Sequence, residues 1–336
     1  MLSDTAALFH HAGDNRTPLL AFNIITLEHA HAVLRAAEVA GQPVILQISE
    51  NAARYHHGPA ALIAACRVLA QTSTTSVSLH LDHVASVELL HLAADLGVSS
   101  IMVDGSRLPD QENIAFTKDS ATWAHQHHLF VEAELGAIGG KGHPHTHGVR
   151  TDPAHAAAFV AQTGIDALAV AVGSQHAMTT RTAELDQALI QRLARSVPVP
   201  LVLHGSSGIA DDALRLAVGS GIVKVNVGTL LNVAFTNAVR DTLAADLQQV
   251  DPRGYLGAAR TATETAVLHL FHALIPTTAI DHGAGAHLTR PQSPPGPTDP
   301  IPTDEREAGD GAGLTAVPTA VPAEDARPCR RRRQQA

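Results

Sequence analysis

The chain has 336 residues, of which 45% are hydrophobic and 16% are charged, so it can bury the core of one large domain and is not disordered as a whole. Its formal net charge of −9 argues against a general nucleic-acid binder, because binding to phosphate backbones relies on clustered lysine and arginine. The sequence contains no run of 18 apolar residues, so we expect no membrane span.

Short apolar or β-branched runs recur along the chain, and an alanine-rich stretch of helical character follows each one. Strands and helices that alternate in this way predict a parallel sheet, and continuously apolar strands are typical of a sheet covered on both faces. The predicted strands are Leu19–Asn23, Pro43–Ser49, Val77–Asp82, Ser99–Asp104, Leu129–Glu134, Ala167–Val172, Val199–His204 and Ile222–Val227.

Eight strand–helix repeats in about 250 residues match the size of a closed (β/α)8 TIM barrel. An open, doubly wound sheet is the alternative. It is disfavoured because no Gly-x-Gly-x-x-Gly turn follows the first strand. The predicted helices are Leu27–Ala40, Pro59–Gln71, Ser86–Leu96, Asp110–His127, Pro153–Thr163, Glu184–Arg195, Ala210–Val218 and Thr229–Gln248.

The composition changes near His282. Residues 283–336 contain no Phe, Trp or Tyr but hold 9 of the 19 prolines, so they cannot bury enough apolar surface to offset the chain entropy. We predict one folded domain over residues 1–282 and a disordered, proline-rich tail over residues 283–336 with a basic end.

Cysteine and histidine usage bears on the compartment and the chemistry. The two cysteines, Cys66 and Cys329, lie in unlike contexts, which excludes a disulfide framework and favours the cytoplasm. The first 14 residues show no basic segment followed by an apolar one, so we expect no signal peptide. Histidine accounts for 22 of 336 residues, which suggests metal or proton chemistry.

Polar side chains stand at or just after the carboxyl ends of all the predicted strands. In a barrel of this type those ends build the active site, so the side chains are expected to converge on one mouth. They are Asn23, Ser49, Asp82, His83, Asp104, Glu134, His176, His204 and Asn226.

Three of these rim residues are histidines that follow strands three, six and seven: His83, His176 and His204. Three imidazoles with one open position are typical of a catalytic zinc centre. A single histidine would be interpreted as a hydrogen-bonded rim residue, but three at matching positions favour a metal. Asp104 and Glu134 are candidate metal ligands, partners of the ligands, or plain rim charges.

Two glycine turns follow strands seven and eight, where this fold usually binds phosphate. In each turn, backbone N–H groups and a helix N-terminus can converge on an anion. We therefore expect a phosphate ester beside the metal. The turns contain Gly205, Ser206 and Ser207 after strand seven and Asn226, Val227, Gly228 and Thr229 around the end of strand eight.

Several motifs resemble those of the class II, zinc-dependent fructose-bisphosphate aldolases, in particular the shorter branch that includes the tagatose-bisphosphate aldolases. The resemblance covers about residues 1–275 and extends to the segment 251–256. It is more specific for the family than for the sugar. The motifs are His80–His83, Met102–Ser106, Val131–Gly136, Leu203–Gly208 and Lys224–Val227.

The resemblance implies reversible cleavage of a ketose 1,6-bisphosphate, in the first place fructose 1,6-bisphosphate, to dihydroxyacetone phosphate and glyceraldehyde 3-phosphate. It implies that His83, His176 and His204 hold Zn2+, which stabilises the enediolate, and that Asp82 moves the proton of the C4 hydroxyl. It also implies a monovalent cation near the phosphate. The implied substrate-binding residues are Asn23, Ser49, Ala177, Gly205, Ser206, Ser207, Asn226, Val227, Gly228 and Thr229.

The sequence departs from its relatives at two places. Many relatives carry an acidic loop after strand five, whereas residues 139–150 contain three histidines and no carboxylate. Either His143 or His145 moves the proton at C1, or the donor lies elsewhere, or the substrate differs. Relatives commonly have glycine where this chain has Ala177, so a methyl group would narrow the approach to the phosphate or cation.

Two rival hypotheses remain open at the level of sequence. Lys224 shares the parity of Asn226 on strand eight, so it could form a Schiff base with a substrate, although a neighbour of the phosphate loop or a structural cation is the favoured interpretation. Alternatively, the barrel is a non-catalytic binder of metal or sugar phosphate. The adjacent Asp82 and His83 argue against that, because a binding module needs no general acid.

The sequence leaves the sugar and the assembly open. Fructose and tagatose differ at C4, near Asp82, and another ketose phosphate also remains an alternative. The resemblance implies a homodimer or a homotetramer. Arg253 and Arg260 are candidates for contacts with the far phosphate, but surface charges are the favoured interpretation.

Overall fold

The computed structural model of the protein describes residues 1–135 and 150–275. The sheet is a closed barrel of parallel strands that pair in chain order, and β8 pairs with β1. The strands are β1 (Leu19–Asn23), β2 (Val44–Ser49), β3 (Val77–Val84), β4 (Ser100–Val103), β5 (Phe130–Leu135), β6 (Ala167–Val170), β7 (Leu201–Leu203) and β8 (Ile222–Val227).

The helices surround the barrel. Most of them start at a capped N-terminus or end at a left-handed glycine, as at Gly41, Gly97 and Gly164. They are α1 (Thr5–Asn15), α2 (Leu27–Ala40), α3 (Glu50–Tyr55), α4 (Ala60–Thr72), α5 (Val87–Leu96), α6 (Asp110–Gln126), α7 (Pro153–Thr163), α8 (Gln187–Ser196), α9 (Asp211–Ser220), α10 (Thr229–Ala245) and α11 (Pro252–Leu274).

Alternation along the strands divides the core into two layers. Side chains such as Leu20 and Phe22 face outward and pack beneath the helices, whereas Leu19 and Ala21 face the barrel axis. Helix α1 packs Leu8, Phe9 and Ala12 against the inner set. This contact covers the amino-terminal end of the barrel, so the open mouth lies at the carboxyl ends of the strands.

The TIM barrel predicted from the sequence is confirmed, and the open doubly wound sheet is excluded because β1 pairs with β8. Helices α1, α3 and α11 were not predicted. The boundary at residue 282, the tail and the histidine-containing part of the loop after β5 lie outside the described residues. Within residues 1–135 and 150–275, the helices are too short or too polar to cross a membrane.

Strand β3 contains an irregularity that matters for the mouth. Its register with β4 shifts between Leu81 and Val84, and His83 has a left-handed backbone with φ of 53°. In a regular strand, neighbouring side chains point to opposite faces. The bulge re-aims one of them, so that Asp82 and His83 both face the mouth.

Candidate metal centre and active site

Three histidine rings meet at the carboxyl end of the barrel. His83, His176 and His204 have ring centroids 4.9, 5.3 and 5.7 Å apart, and their planes are nearly perpendicular. One nitrogen of each ring and one carboxylate oxygen of Glu134 all lie within 4.8 Å of one another. The mouth therefore holds three imidazoles and a carboxylate that point to a common centre.

Asp104 orients His83 from behind. Its Oδ2 lies 2.6 Å from His83 Nδ1, which leaves Nε2 of the ring for the centre. Burial alone would raise the pKa of Asp104, but hydrogen bonds from His83 and Ser106 outweigh it and hold the pKa below its usual range. Asp104 thus lies outside the group of four and acts on it through His83, as partners of metal-bound histidines do.

A buried ion pair orients His204. Its Nε2 lies 2.8 Å from Glu132 Oε1, and Glu132 Oε2 accepts a hydrogen bond of 2.6 Å from Lys224 Nζ. Burial would raise the pKa of Glu132, but the Lys224 ammonium and His204 lower it to about 2. Nδ1 of His204 is left for a ligand, and it has no hydrogen-bond partner within the described ranges.

Asp82 sits beside the histidines and is held by two amide side chains. Asn23 Nδ2 donates to Asp82 Oδ2 at 2.9 Å, and Gln47 Nε2 donates to Asn23 Oδ1 at 3.0 Å. Asp82 Oδ1 lies 3.9 Å from His83 Nε2. These two hydrogen bonds hold the Asp82 carboxylate, which is 2% exposed, next to the centre. A general acid or base in this position can exchange a proton with a molecule bound there.

The loops after β7 and β8 form the opposite wall. Gly205 has φ of 66°, and a Cβ there would lie 2.6 Å from the backbone of Gln175, so only glycine fits. Ser207 Oγ accepts a hydrogen bond from Leu230 N at 3.0 Å, which ties the two loops together. Gly228 and Thr229 lie at the N-terminus of α10 and line the cavity, so the positive end of the helix dipole is directed to an anion bound there.

A cavity of about 190 Å³ joins these parts. Its wall also contains Gln47, Asn51 and Asn232, which were not predicted from the sequence. Most of the predicted site residues line it: Asn23, Ser49, Asp82, His83, His176, Ala177, His204, Gly205, Ser207, Asn226, Gly228 and Thr229.

Two of the predicted substrate-binding residues, Ser206 and Val227, do not line this cavity. Ser206 is buried behind it and donates its hydroxyl to the Asn226 carbonyl oxygen at 2.5 Å. Val227 follows the inward-facing Asn226, so alternation turns its side chain outward into the core beneath the helices. Ser49 lines the cavity and also caps α3, since its hydroxyl accepts from Ala52 N.

The donor set fits a divalent metal ion. His83 and His204 each have one nitrogen held by a carboxylate, so the other is directed to the centre, and that of His204 is buried. Imidazole nitrogens with carboxylates behind them are the arrangement in which proteins bind zinc and similar ions. His83, His176 and His204, together with Glu134, are therefore the residues that could hold such an ion.

Proteins of known family are similar to this chain in sequence and in fold. Residues 3–277 match the family model described as class II fructose-bisphosphate aldolase. A probable fructose-bisphosphate aldolase of Bacillus subtilis is 39% identical over 251 residues, which cover 74% of this chain and 88% of the relative. The fructose-bisphosphate aldolase of Staphylococcus aureus (strain Mu50) is 38% identical over 260 residues, covering 76% and 91%. The chain belongs to the class II fructose-bisphosphate aldolase family.

Solved structures agree with this assignment. The YdjI aldolase from Escherichia coli K12 superposes with a TM-score of 0.72 at 33% identity, covering 82% of this chain and 98% of that one. The present chain is thus a metal-dependent class II aldolase, a lyase that acts on sugar phosphates. Cleavage of fructose 1,6-bisphosphate to dihydroxyacetone phosphate and glyceraldehyde 3-phosphate is the reaction that follows from the family.

The Schiff-base alternative does not suit this aldolase. Lys224 points into the barrel, as its parity predicted, but its amine is bound to Glu132 and the residue is 0% exposed. It does not line the cavity, so it is not placed to attack a substrate carbonyl bound there. Arg253 pairs with Asp251 and is 90% exposed, in keeping with a surface charge, and neither it nor Arg260 lines the cavity.

Sequence reasoning passed over two buried residues of the aldolase interior. Glu132 belongs to a quoted motif but was assigned no role, although it shares the parity of Glu134 on β5. His80 shares the parity of Asp82, lies 2.8 Å from Ser100 Oγ, and has its pKa lowered to about 3, mainly by burial. Strand parity was the signal that could have found both residues.

Proposed function

We propose that this aldolase reversibly cleaves fructose 1,6-bisphosphate with a zinc ion held by His83, His176 and His204. The observation that carries the proposal is the convergence of these three rings beside Asp82, opposite a glycine-rich wall. An ester with two phosphates and a carbonyl needs these elements: a cation at the carbonyl, a proton acceptor at a hydroxyl, and N–H donors at a phosphate.

Asp82 supplies the proton transfer in this proposal. In cleavage it accepts the proton of the C4 hydroxyl while the C3–C4 bond breaks and C4 becomes the aldehyde carbon of glyceraldehyde 3-phosphate. The hydrogen bond from Asn23 orients the carboxylate for this transfer. In condensation the same group returns the proton, as microscopic reversibility requires.

The electron pair of the broken bond stays on C3, next to the carbonyl carbon, and a proton delivered to C3 by His143, His145 or another donor then completes dihydroxyacetone phosphate. A divalent ion held by His83, His176 and His204 would supply Lewis acidity there and stabilise the developing negative charge by several kcal/mol. Gly205, Ser207, Gly228 and Thr229 hold the phosphate of the dihydroxyacetone part through N–H and hydroxyl groups. A monovalent cation near that phosphate belongs to the same proposal.

A coupled assay tests the proposal. Purified protein is treated with EDTA, reloaded with one divalent metal at a time, and assayed with fructose and tagatose 1,6-bisphosphates. We expect the highest turnover with zinc and fructose bisphosphate. Asp82→Ala should lower kcat by about 10²–10⁴-fold, because a general base is removed, and zinc content should remain unchanged.

The control is Asp95→Asn, an exposed carboxylate on α5, which should retain full activity. Turnover no higher than that of His204→Ala on either bisphosphate would overturn the proposal and favour a non-catalytic binder. Higher turnover on tagatose bisphosphate than on fructose bisphosphate would leave the proposed mechanism unchanged but identify tagatose bisphosphate as the preferred substrate.

Two finer points belong to the proposal. We infer a homodimer or homotetramer, supported by Leu247 and Val250, which are 86% and 90% exposed between α10 and α11 and which a second copy would cover. We infer a cytoplasmic location, supported by the free and buried thiol of Cys66. Native mass spectrometry and cell fractionation test these points directly.

A further inference from the structure

A lysine lies inside the barrel without lining the cavity. Lys224 on β8 is 0% exposed, and its Nζ donates to Glu132 Oε2 at 2.6 Å. Of the chain's other lysines, Lys118 is exposed on α6 and Lys141 lies outside the described residues. The buried ammonium therefore requires an explanation of its own.

Stability does not supply that explanation. Removing two charges from water is unfavourable, and apolar replacements of buried pairs are often neutral or stabilising. Lys224 and Glu132 are each 1% exposed as side chains, so this cost applies in full. An ion pair retained in such a place points to a role in the neighbouring site.

The pair ends at a metal-ligand candidate. Lys224 holds one oxygen of the Glu132 carboxylate, and the other oxygen lies 2.8 Å from His204 Nε2, which also lies 2.9 Å from Asn226 Nδ2. On the far side of the ring, Nδ1 of His204 lies 3.7 Å from Glu134 Oε2 within the group of four. Successive contacts thus connect the Lys224 ammonium, the Glu132 carboxylate and the His204 imidazole to the position of the metal.

We propose that Lys224 is a positioning residue for the metal centre. Its ammonium fixes the Glu132 carboxylate so that Oε1 accepts the Nε2 proton of His204, and the ring is then locked in the tautomer that presents Nδ1 to the ion. The inference rests on the proposed role of His204 as a ligand. It does not depend on which sugar is cleaved.

The first test measures zinc affinity by competition with a chromophoric chelator, with zinc as the only added ligand. Lys224→Met should weaken zinc binding about 10–100-fold, the usual effect of removing a partner of a metal ligand. It should also alter the visible spectrum of the Co2+-loaded protein. Lys118→Met, a matched change at an exposed lysine, should alter neither.

A second variant covers the case in which Lys224→Met leaves a buried charge and does not fold. Lys224→Met combined with Glu132→Leu removes both charges, and apolar replacement of a buried pair is often neutral or stabilising. We expect its zinc affinity to equal that of Glu132→Leu alone, because Lys224 acts on the metal centre only through that carboxylate. A purely structural ion pair would instead leave the zinc affinity of the folded variants unchanged.

Lys224→Met, folded and binding zinc as tightly as the wild type, would overturn the inference, and so would a double variant that binds zinc as tightly as the wild type. Failure of the proposed function gives a different signature. In that case the wild type binds zinc and loses it on Lys224→Met, but cleaves no ketose bisphosphate.

Discussion

Ala177 has a left-handed backbone conformation, which is unfavourable for an L-amino acid with a side chain. Its φ is 61°, in the left-handed region where a Cβ raises the free energy by about 1–2 kcal/mol. It directly follows His176 and lines the cavity. His83, with φ of 53°, shows the same feature, so two residues that line the cavity carry backbone strain.

We expect Ala177→Gly to lower the KM for fructose 1,6-bisphosphate, because it removes a methyl group from the cavity wall. The free energy of unfolding should change by less than about 1 kcal/mol, because relief of strain is offset by the added entropy of the unfolded chain. Steady-state kinetics and urea unfolding measure both. Ala210→Gly, at an ordinary φ of −69° outside the cavity, is the control, and equal KM values for all three proteins would contradict the expectation.

At the scale of elements, the loop between β6 and α8 is the support of His176 and Ala177. Arg181 on this loop donates from Nε to the Ile209 carbonyl oxygen at 2.8 Å and pairs with Asp211. Ala183 N donates to Gly208 O at 2.9 Å. The loop is therefore fastened to the start of α9, so one metal-ligand candidate is placed by a contact made on the outer side of the barrel.

Arg181→Met should loosen this loop. We expect faster hydrogen exchange over residues 174–186 and a loss of about 1.5–3 kcal/mol in the free energy of unfolding, the usual value of a hydrogen bond to a charged group. Arg35→Met is the matched control, since Arg35 is exposed and pairs with Glu38 on its own helix. Indistinguishable exchange in the two variants would show that Arg181 does not fasten the loop.

At the scale of the whole molecule, the helices next to the seam between β8 and β1 bury a histidine. His29 on α2 is 3% exposed and stacks on Phe235 of α10, with ring centroids 4.7 Å apart. Burial lowers its pKa from 6.5 to about 4, against a smaller opposing effect of Glu28. The folded chain thus binds this proton only near pH 4, whereas the unfolded chain binds it near pH 6.5.

The sign of the pH effect follows from this difference. The contribution of neutral His29 to stability is complete above pH 6.5 and falls as the pH drops toward 4, by up to about 3 kcal/mol. His29→Gln should therefore flatten the dependence of the unfolding free energy on pH in this range, measured by urea titration at several pH values. The exposed His31 on the same helix gives the control, His31→Gln, and parallel curves for His29→Gln and the wild type would refute the argument.

The sequence by itself determined the barrel and the composition of its mouth. Eight apolar runs with intervening helices leave few topologies other than a closed parallel barrel, and the polar residues at the ends of the runs were visible without coordinates. Helix α1 escaped prediction because its role appears only when Phe9 packs against Leu19 at the closed end.

Only the tertiary structure decided how the mouth residues divide their roles, because depth and direction depend on pairing register. The bulge in β3 turns both Asp82 and His83 inward, which regular alternation forbids. Glu132 and Glu134 share one face of β5 but contact different groups. Glu132, deeper in the barrel, contacts Nε2 of His204, whereas Glu134, nearer the mouth, lies with the three histidine rings. A linear pattern records which face a side chain occupies, but not which neighbouring strand it meets or at what height.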